Sequence, residues 1–201
     1  YRAQPAGNTP QQMATAERLK VHVERLANEI GPRHVGRPAS IELTLEYIRS
    51  QWSAYGSVSR HQFGPPNRPY YNLELRLPGT KLAHEWVLVG AHYDTEPQTP
   101  GANDNASGVA VLLELAERIW HRKFSRGVRL IAFANEEFPW GMTENMGSIA
   151  YARRCRKYDE SIHAMISLDS LGHFSDVPGS QSYPEPLGLY YGQKGDYLAL
   201  V

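Results

Sequence analysis

WVLVGAHYDT, residues 86–95, and GANDNASG, residues 101–108, together decide the fold. An apolar, strand-forming run ends in an imidazole, His92, with a carboxylate, Asp94, two residues on. A turn carrying Asp104 then opens into an apolar helical stretch. The pattern recurs. Residues 128–134 (VRLIAFA) run into the pair Glu136-Glu137, and 164–168 (AMISL) run into Asp169. Packing accounts for the apolar runs but not for polar, metal-ligating side chains at each of their ends. In open α/β sheets that edge is where ligands bind.

Working outward, strand 86–91, a helix over 106–121, strand 128–134, a helix over 146–158 and strand 162–168 alternate along the chain. Such alternation predicts an α/β fold with right-handed crossovers and a mixed, mainly parallel central sheet. Residues 57–63 and 70–77 alternate apolar and polar side chains across a turn at 64–67 (GPPN), and are expected to pair antiparallel at the sheet edge. Upstream, Thr9-Pro10 with Gln12 marks a helix start, and Leu19, Val23, Leu26 and Ile30 form its apolar stripe until Gly31-Pro32 stops it. A second helix follows Pro38, with Ile41, Leu45, Ile48 and Trp52 on one stripe and Gly56 at its end. The helix after Asp104 is apolar nearly all round, so it is expected against the sheet, with Glu114, Glu117, Arg118 and His121 as a narrow polar stripe. Residues 175–188 read as a loop rich in Pro, Gly and Ser, and 187–191 and 197–201 as two further strands.

A chain of 201 residues with 41% hydrophobic content is expected to build one domain, with leading helices over 1–56 and an α/β core over 57–201. Its 21 basic and 21 acidic residues cancel, so charge draws it to neither nucleic acid nor an anionic membrane. No stretch has the apolar length of a membrane span, and residues 1–12 lack the pattern of a signal peptide. The chain begins at Tyr1 rather than Met, which reads as a removed leader or a fragment; compartment and oligomeric state are not legible. The lone Cys155 lies on a polar helical run with no base beside it, and is expected to be a semi-exposed or packed free thiol.

Zinc takes neutral imidazole nitrogen and carboxylate oxygen, and its catalytic sites keep one position open for water. His92 supplies the imidazole, and Asp94 is close enough in sequence to orient it. A histidine at a strand end is ordinarily a hydrogen-bonded structural residue, and Asn103, Asp104, Asn105 and Ser107 are ordinary turn and cap residues. Asp104 has two oxygens to share between metals, at a helix start that favours its charge. The adjacent Glu136 and Glu137 repel each other unless a cation or a shared proton compensates. Asp169, in SLDSLG (167–172), closes the set.

Through GAHYDT, GANDNASG, AFANEE (132–137), the Gly147-Ser148 pair and SLDSLG, the sequence resembles the M28 family of zinc aminopeptidases, closely over 90–172 and loosely over the leading helices. The resemblance implies a three-layer α/β/α sandwich of the zinc exopeptidase type, a peptide substrate and a centre of two zinc ions, at which cobalt or manganese is an alternative. It implies His92 and Asp169 as ligands of one ion, Asp104 as the bridge, Glu137 on the other ion, Glu136 as general base and Asp94 as the residue that orients His92. The family's last ligand is a histidine further along. The only histidine after Asp169, His173, comes too early, so the carboxy-terminal part of the domain is expected to be missing.

Two other readings stay open. A glutaminyl-cyclase-like aminoacyltransferase shares the fold, and 136–148 (EEFPWGMTENMGS) resembles that group in the spacing between the acidic pair and Gly-Ser. A catalytically inactive relative acting as a binding domain is the other. His22, His34, His61, His84, His121 and His163 show no ligand spacing and are expected to be structural or surface residues. Trp140 and Met142 stand beside the acidic pair, as substrate rim or as packing anchors.

Overall fold

The computed structural model describes residues 8–183 and 185–196. Helix α1 (Pro10–Glu24) starts where the sequence places it, on a reciprocal cap. Gln12 N donates to Thr9 Oγ1 at 3.2 Å and Thr9 N to Gln12 Oε1 at 2.8 Å, with Pro10 in the first turn. The helix widens into a π turn over Arg25–Ile30 and stops at Gly31, whose φ of 80° suits glycine. Helix α2 (Pro38–Trp52) buries Leu45, Ile48 and Trp52 of the expected stripe together with Thr44, leaves Ile41 partly buried, and ends at Trp52, short of the expected stop at Gly56.

Five strands form one sheet in the order β1-β2-β4-β3-β5. They are β1 (Val58–Phe63), β2 (Tyr70–Leu77), β3 (Leu82–His92), β4 (Arg126–Phe133) and β5 (Ser161–Ser167). The hairpin β1–β2 is antiparallel and joins β4 antiparallel, whereas β4, β3 and β5 run parallel. The sheet is thus mixed, with its three parallel strands at the centre and at one edge.

Helix α3 (Gly108–Ile119) crosses from β3 to β4, and α4 (Gly147–Lys157) from β4 to β5. Alternate residues of β4 sort the two faces. Leu130 and Ala132 join the large core under α1, α2 and α3, whereas Ile131 and Phe133 pack with Tyr151 and Cys155 of α4. The result is the expected α/β/α sandwich. Cys155 is packed rather than semi-exposed, and burial with Glu160 beside it pushes its thiol up to about 11. Glu114, read as part of an outward polar stripe, is buried, because Arg18 of α1 reaches it with three hydrogen bonds of 2.8–3.0 Å.

Two expectations are corrected. Strand β5, read as buried, is exposed along most of its length, with Met165 at 48% and Ile166 at 51%. It is the outermost strand of the sheet among the described residues, so apolar composition alone did not report its environment. The strand expected at 187–191 is a 3-10 turn, Leu187–Leu189, in which Leu189 N bonds Pro186 O and Tyr190 N bonds Leu187 O. Its backbone groups are thus satisfied locally rather than by strand pairing. The strand expected at 197–201 lies outside the described residues.

Candidate metal centre

Parallel pairing puts the carboxyl ends of β3, β4 and β5 on one edge, with His92 opposite Phe133 and Gly90 opposite Ser167. β3 ends in His92 itself. β4 ends two residues before the acidic pair, and between them Asn135 takes a positive φ of 60°, with its amide held by Asn145 O at 3.0 Å. Gly147, at the start of α4, closes against that strand end. Its N–H donates to Ala134 O at 2.8 Å, and a Cβ would meet Ala134 O and Asn72 Oδ1 at 2.4 Å. After β5, Leu168 N donates to Gly90 O at 2.8 Å, and Asp169 follows.

Asp104 comes from the turn Ala102–Ser107, whose backbone leaves helical geometry at Asp104 (φ −108°, ψ 100°) and Asn105. The residues that read as ordinary turn formers stitch this turn to the Asp169 loop. Asn105 Nδ2 donates to Leu168 O at 2.9 Å, Asn103 Oδ1 accepts from Gly172 N at 2.8 Å, and Ser107 Oγ accepts from Leu171 N at 2.9 Å. Asp104 and Asp169 are therefore placed relative to each other by the polar residues between them.

His92 is 6% exposed, and neither ring nitrogen makes a hydrogen bond. Around Nε2 lie Asp104 Oδ1 at 3.0 Å, Asp169 Oδ2 at 3.9 Å and Glu136 Oε2 at 4.0 Å. Asp94 Oδ1 stands 3.5 Å from Nδ1, on the other side of the ring. Two sets of potential ligand atoms each fall within 4.8 Å: His92 with Asp104 and Asp169, and His92 with Glu136 and Glu137. The structure thus brings together every residue the sequence singled out for the site. His173 is exposed, and His92 is the only histidine in either set among the described residues.

Asp94, expected to orient His92, hydrogen-bonds elsewhere. Its two carboxylate oxygens accept the backbone N–H groups of Glu136 at 3.1 Å and Glu137 at 3.0 Å, so one buried side chain faces His92 and also fixes the acidic pair. Arg33, wholly buried, is bonded to the carbonyls of Tyr93, Pro100 and Gly101, and Asp94 acts on its charge. No local pattern in the sequence marked Arg33, since it follows a helix stop and looks like any loop cation.

The electrostatics are those of a site short of positive charge. Burial pushes the Glu137 carboxyl up, and repulsion from Asp104 adds to it, to about 7; Glu136 is raised for the same reasons, with Asp94, Asp169 and Asp104 opposing the help of His92. Burial would lower His92, but Asp94, Glu136 and Asp169 raise it to about 9, so its proton stands in for a cation. A buried imidazole with both nitrogens unbonded, under carboxylates that repel one another, is a donor set suited to zinc. The rim is open, with the side chains of Asp104 and Asp169 each 54% exposed and Glu136 42%. Trp140 packs on Tyr70 with ring centroids 5.9 Å apart and the rings tilted by 53°, a packing anchor, whereas Phe138 and Met142 project into solvent at 76% and 88%.

Likeness to known proteins follows the same features. The Escherichia coli (strain K12) protein YfbL is 33% identical over 198 residues, which span 94% of this chain and 60% of YfbL. In fold, the chain resembles BSAP, a zinc aminopeptidase from Bacillus subtilis, with a TM-score of 0.69 and 16% identity over 84% of this chain and 74% of that one. It also resembles an Acidobacteriales bacterium glutaminyl cyclase, with a TM-score of 0.65 and 20% identity over 90% and 68%. The chain spans only part of the length of its curated relatives, 60% in the case of YfbL. Residues 72–188, which hold every residue of the candidate site, match the family described as Peptidase family M28, and to that family the chain belongs.

Proposed function

We propose that the protein is a zinc-dependent exopeptidase of the aminopeptidase type, hydrolysing the peptide bond next to a free amino terminus. The observation that carries this reading is the buried, unbonded His92 imidazole beneath four gathered carboxylates at the carboxyl edge of the sheet. Family membership and the zinc aminopeptidase likeness support it. His92, Asp104 and Asp169 would hold one ion, and Asp104 with Glu137 would serve a second. Bound there, zinc supplies Lewis acidity, lowering the pKa of water from about 15.7 toward about 7 and polarising a carbonyl.

The remaining chemistry belongs to the chain. Glu136, fixed through its own N–H by Asp94, has a carboxyl whose proton affinity is raised by burial and then by its acidic neighbours, which suits a base that must take a proton from water and then release it. The proton would pass from the attacking water to a Glu136 carboxylate oxygen and on to the leaving amine. Asp94 holds its position and that of the ligand beside it. The exposed Phe138, next to Glu137 in the chain, and Met142 in the loop that follows would meet the substrate's side chains.

The glutaminyl cyclase likeness favours one alternative, an aminoacyltransferase that cyclises amino-terminal glutamine at a single zinc. A zinc-loaded sample offered unblocked, amino-acetylated and amino-terminal glutamine peptides, read by mass spectrometry, separates the two. The proposal expects loss of one amino-terminal residue from unblocked peptides and none from acetylated ones. Cyclisation of the glutamine peptide without any hydrolysis supports the alternative. Zinc binding with none of the three processed counts against both enzymatic readings for this chain.

A further inference from the structure

Arg33 is 0% exposed, yet among the described residues no carboxylate accepts a hydrogen bond from its guanidinium. Nε donates to Tyr93 O at 2.8 Å, Nη1 to Leu26 O at 2.9 Å, Gly31 O at 3.1 Å and Pro100 O at 2.8 Å, and Nη2 to Gly101 O at 3.0 Å. Its backbone is also paired, N–H to Thr95 Oγ1 and C=O from Thr95 N, both at 3.0 Å. The carbonyls come from three places: the end of the first helical run, the residue after His92, and the turn that leads into Asp104.

A buried cation bonded only to carbonyls is an unfavourable arrangement unless charge elsewhere offsets it. Burial lowers the guanidinium to about 10, and the charges that offset this are Asp94 and Asp104. The same fork shapes the turn. Gly101, in the left-handed region at φ 62°, lies so close that a Cβ would stand 2.9 Å from Arg33 Nη2, 2.5 Å from Asp104 O and 2.2 Å from Thr95 Cγ2. Guanidinium geometry suits this role, since five donors in a rigid plane reach separate acceptors that an ammonium cannot reach together.

We propose that Arg33 is a positioning residue of the metal centre, locking the His92–Asp94 segment to the Asp104 turn and setting a permanent positive charge behind the acids. It acts through the backbone, so that the ligands are placed before any ion arrives. The inference rests on the metal-centre reading and is independent of which peptide bond, if any, is cleaved.

The test is zinc affinity, by competition with a chromophoric chelator, in wild type, Arg33→Lys and Arg33→Ala, with circular dichroism and thermal melting as the check on folding. Arg33→Lys keeps the charge without the fork, and is expected to remain folded and to bind zinc about 10-fold more weakly; Arg33→Ala should lose about 10- to 100-fold, the range seen when outer partners of ligands are removed. Millimolar guanidinium should restore part of the affinity of Arg33→Ala, which repair of a merely structural defect at a distance would not explain. Should Arg33→Ala fail to fold, Arg33→Lys decides alone. A folded Arg33→Lys with wild-type zinc affinity overturns the proposal, as does a folded Arg33→Ala that guanidinium leaves unchanged. Wild type that binds no zinc overturns the metal-centre reading and this inference with it, an outcome distinct from the other two.

Discussion

Two acid-centred clusters lie on the same sheet and treat charge in opposite ways. On the α4 face, Glu74 is wholly buried and accepts hydrogen bonds from Arg76 and Tyr151, with His61 Nε2 at 3.5 Å. Arg129 stands 4.0 Å away and pairs with Glu160. Burial alone would raise the Glu74 carboxyl, but His61 close by and the bonds from Tyr151 and Arg76 hold it at about 2. At the strand ends, carboxylates crowd around one imidazole and Glu137 rises to about 7. In one cluster the buried acids are paired by the chain's own guanidiniums and a phenol. The other is left short of cations, and that difference is what supports the proposed metal centre there.

The strongest test of this contrast is Glu136→Gln, which removes the proposed base without changing shape. Turnover should fall by about 10²- to 10⁴-fold while zinc content is kept, measured as initial rate against metal per chain. Near-wild-type turnover would return Glu136 to the rim. Glu74→Gln should do the reverse. Breaking a buried, paired charge costs roughly 3 kcal/mol of stability in urea unfolding, while zinc affinity of the folded protein stays the same. A variant as stable as wild type would mean that the α4-face cluster is not held by its pairing.

The acid limb of the stability curve follows from the same residue. Glu74 has its folded pKa at about 2, below the roughly 4.3 of an unfolded glutamate, so its contribution is complete above about pH 4.5 and is lost as pH falls from there toward 2. Glu160 is lowered too and adds in the same direction, since burial opposes the shift but Arg129 and Arg154 outweigh it. Wild type should therefore lose of the order of 2 kcal/mol more than Glu74→Gln across that window, read from urea midpoints at fixed pH. Parallel acid limbs for the two proteins would show that Glu74 is not the group being titrated.

The two clusters were not equally legible in the sequence. His92, Asp104, Glu136, Glu137 and Asp169 stood out because each interrupts an apolar strand or helix pattern at its end, and the register of three parallel strands does the rest. Glu74, Arg129 and Tyr151 each sit inside an element where a polar residue reads as solvent-facing, and only the sheet brings them together. Arg33 was invisible for a related reason. Its five acceptors are backbone carbonyls, and backbone leaves no trace in side-chain spacing. The exposure of β5 was missed because an apolar run reports strand propensity, whereas burial depends on what lies beyond the strand.

The smallest effect is the most discriminating, because its sign differs between the clusters. Glu137 is pushed together with Asp104 and Glu136 and has no hydrogen-bonded cation of its own, so Glu137→Gln removes repulsion and leaves nothing unpaired. The metal-free variant should be more stable than wild type by about 1 kcal/mol, a modest figure because the group is only partly buried and solvent screens it. Zinc should reverse the order. At 100 times its dissociation constant a ligand stabilises the folded state by about 2.7 kcal/mol, and a variant that has lost a carboxylate ligand receives less of that. The two melting curves should therefore cross as zinc is added, with Glu137→Gln ahead without metal and behind with it. Glu74→Gln should lie below wild type at every zinc concentration and never cross it. If Glu137→Gln is instead destabilised without metal, the acids at the strand ends are structurally paired after all, and the two clusters are of one kind.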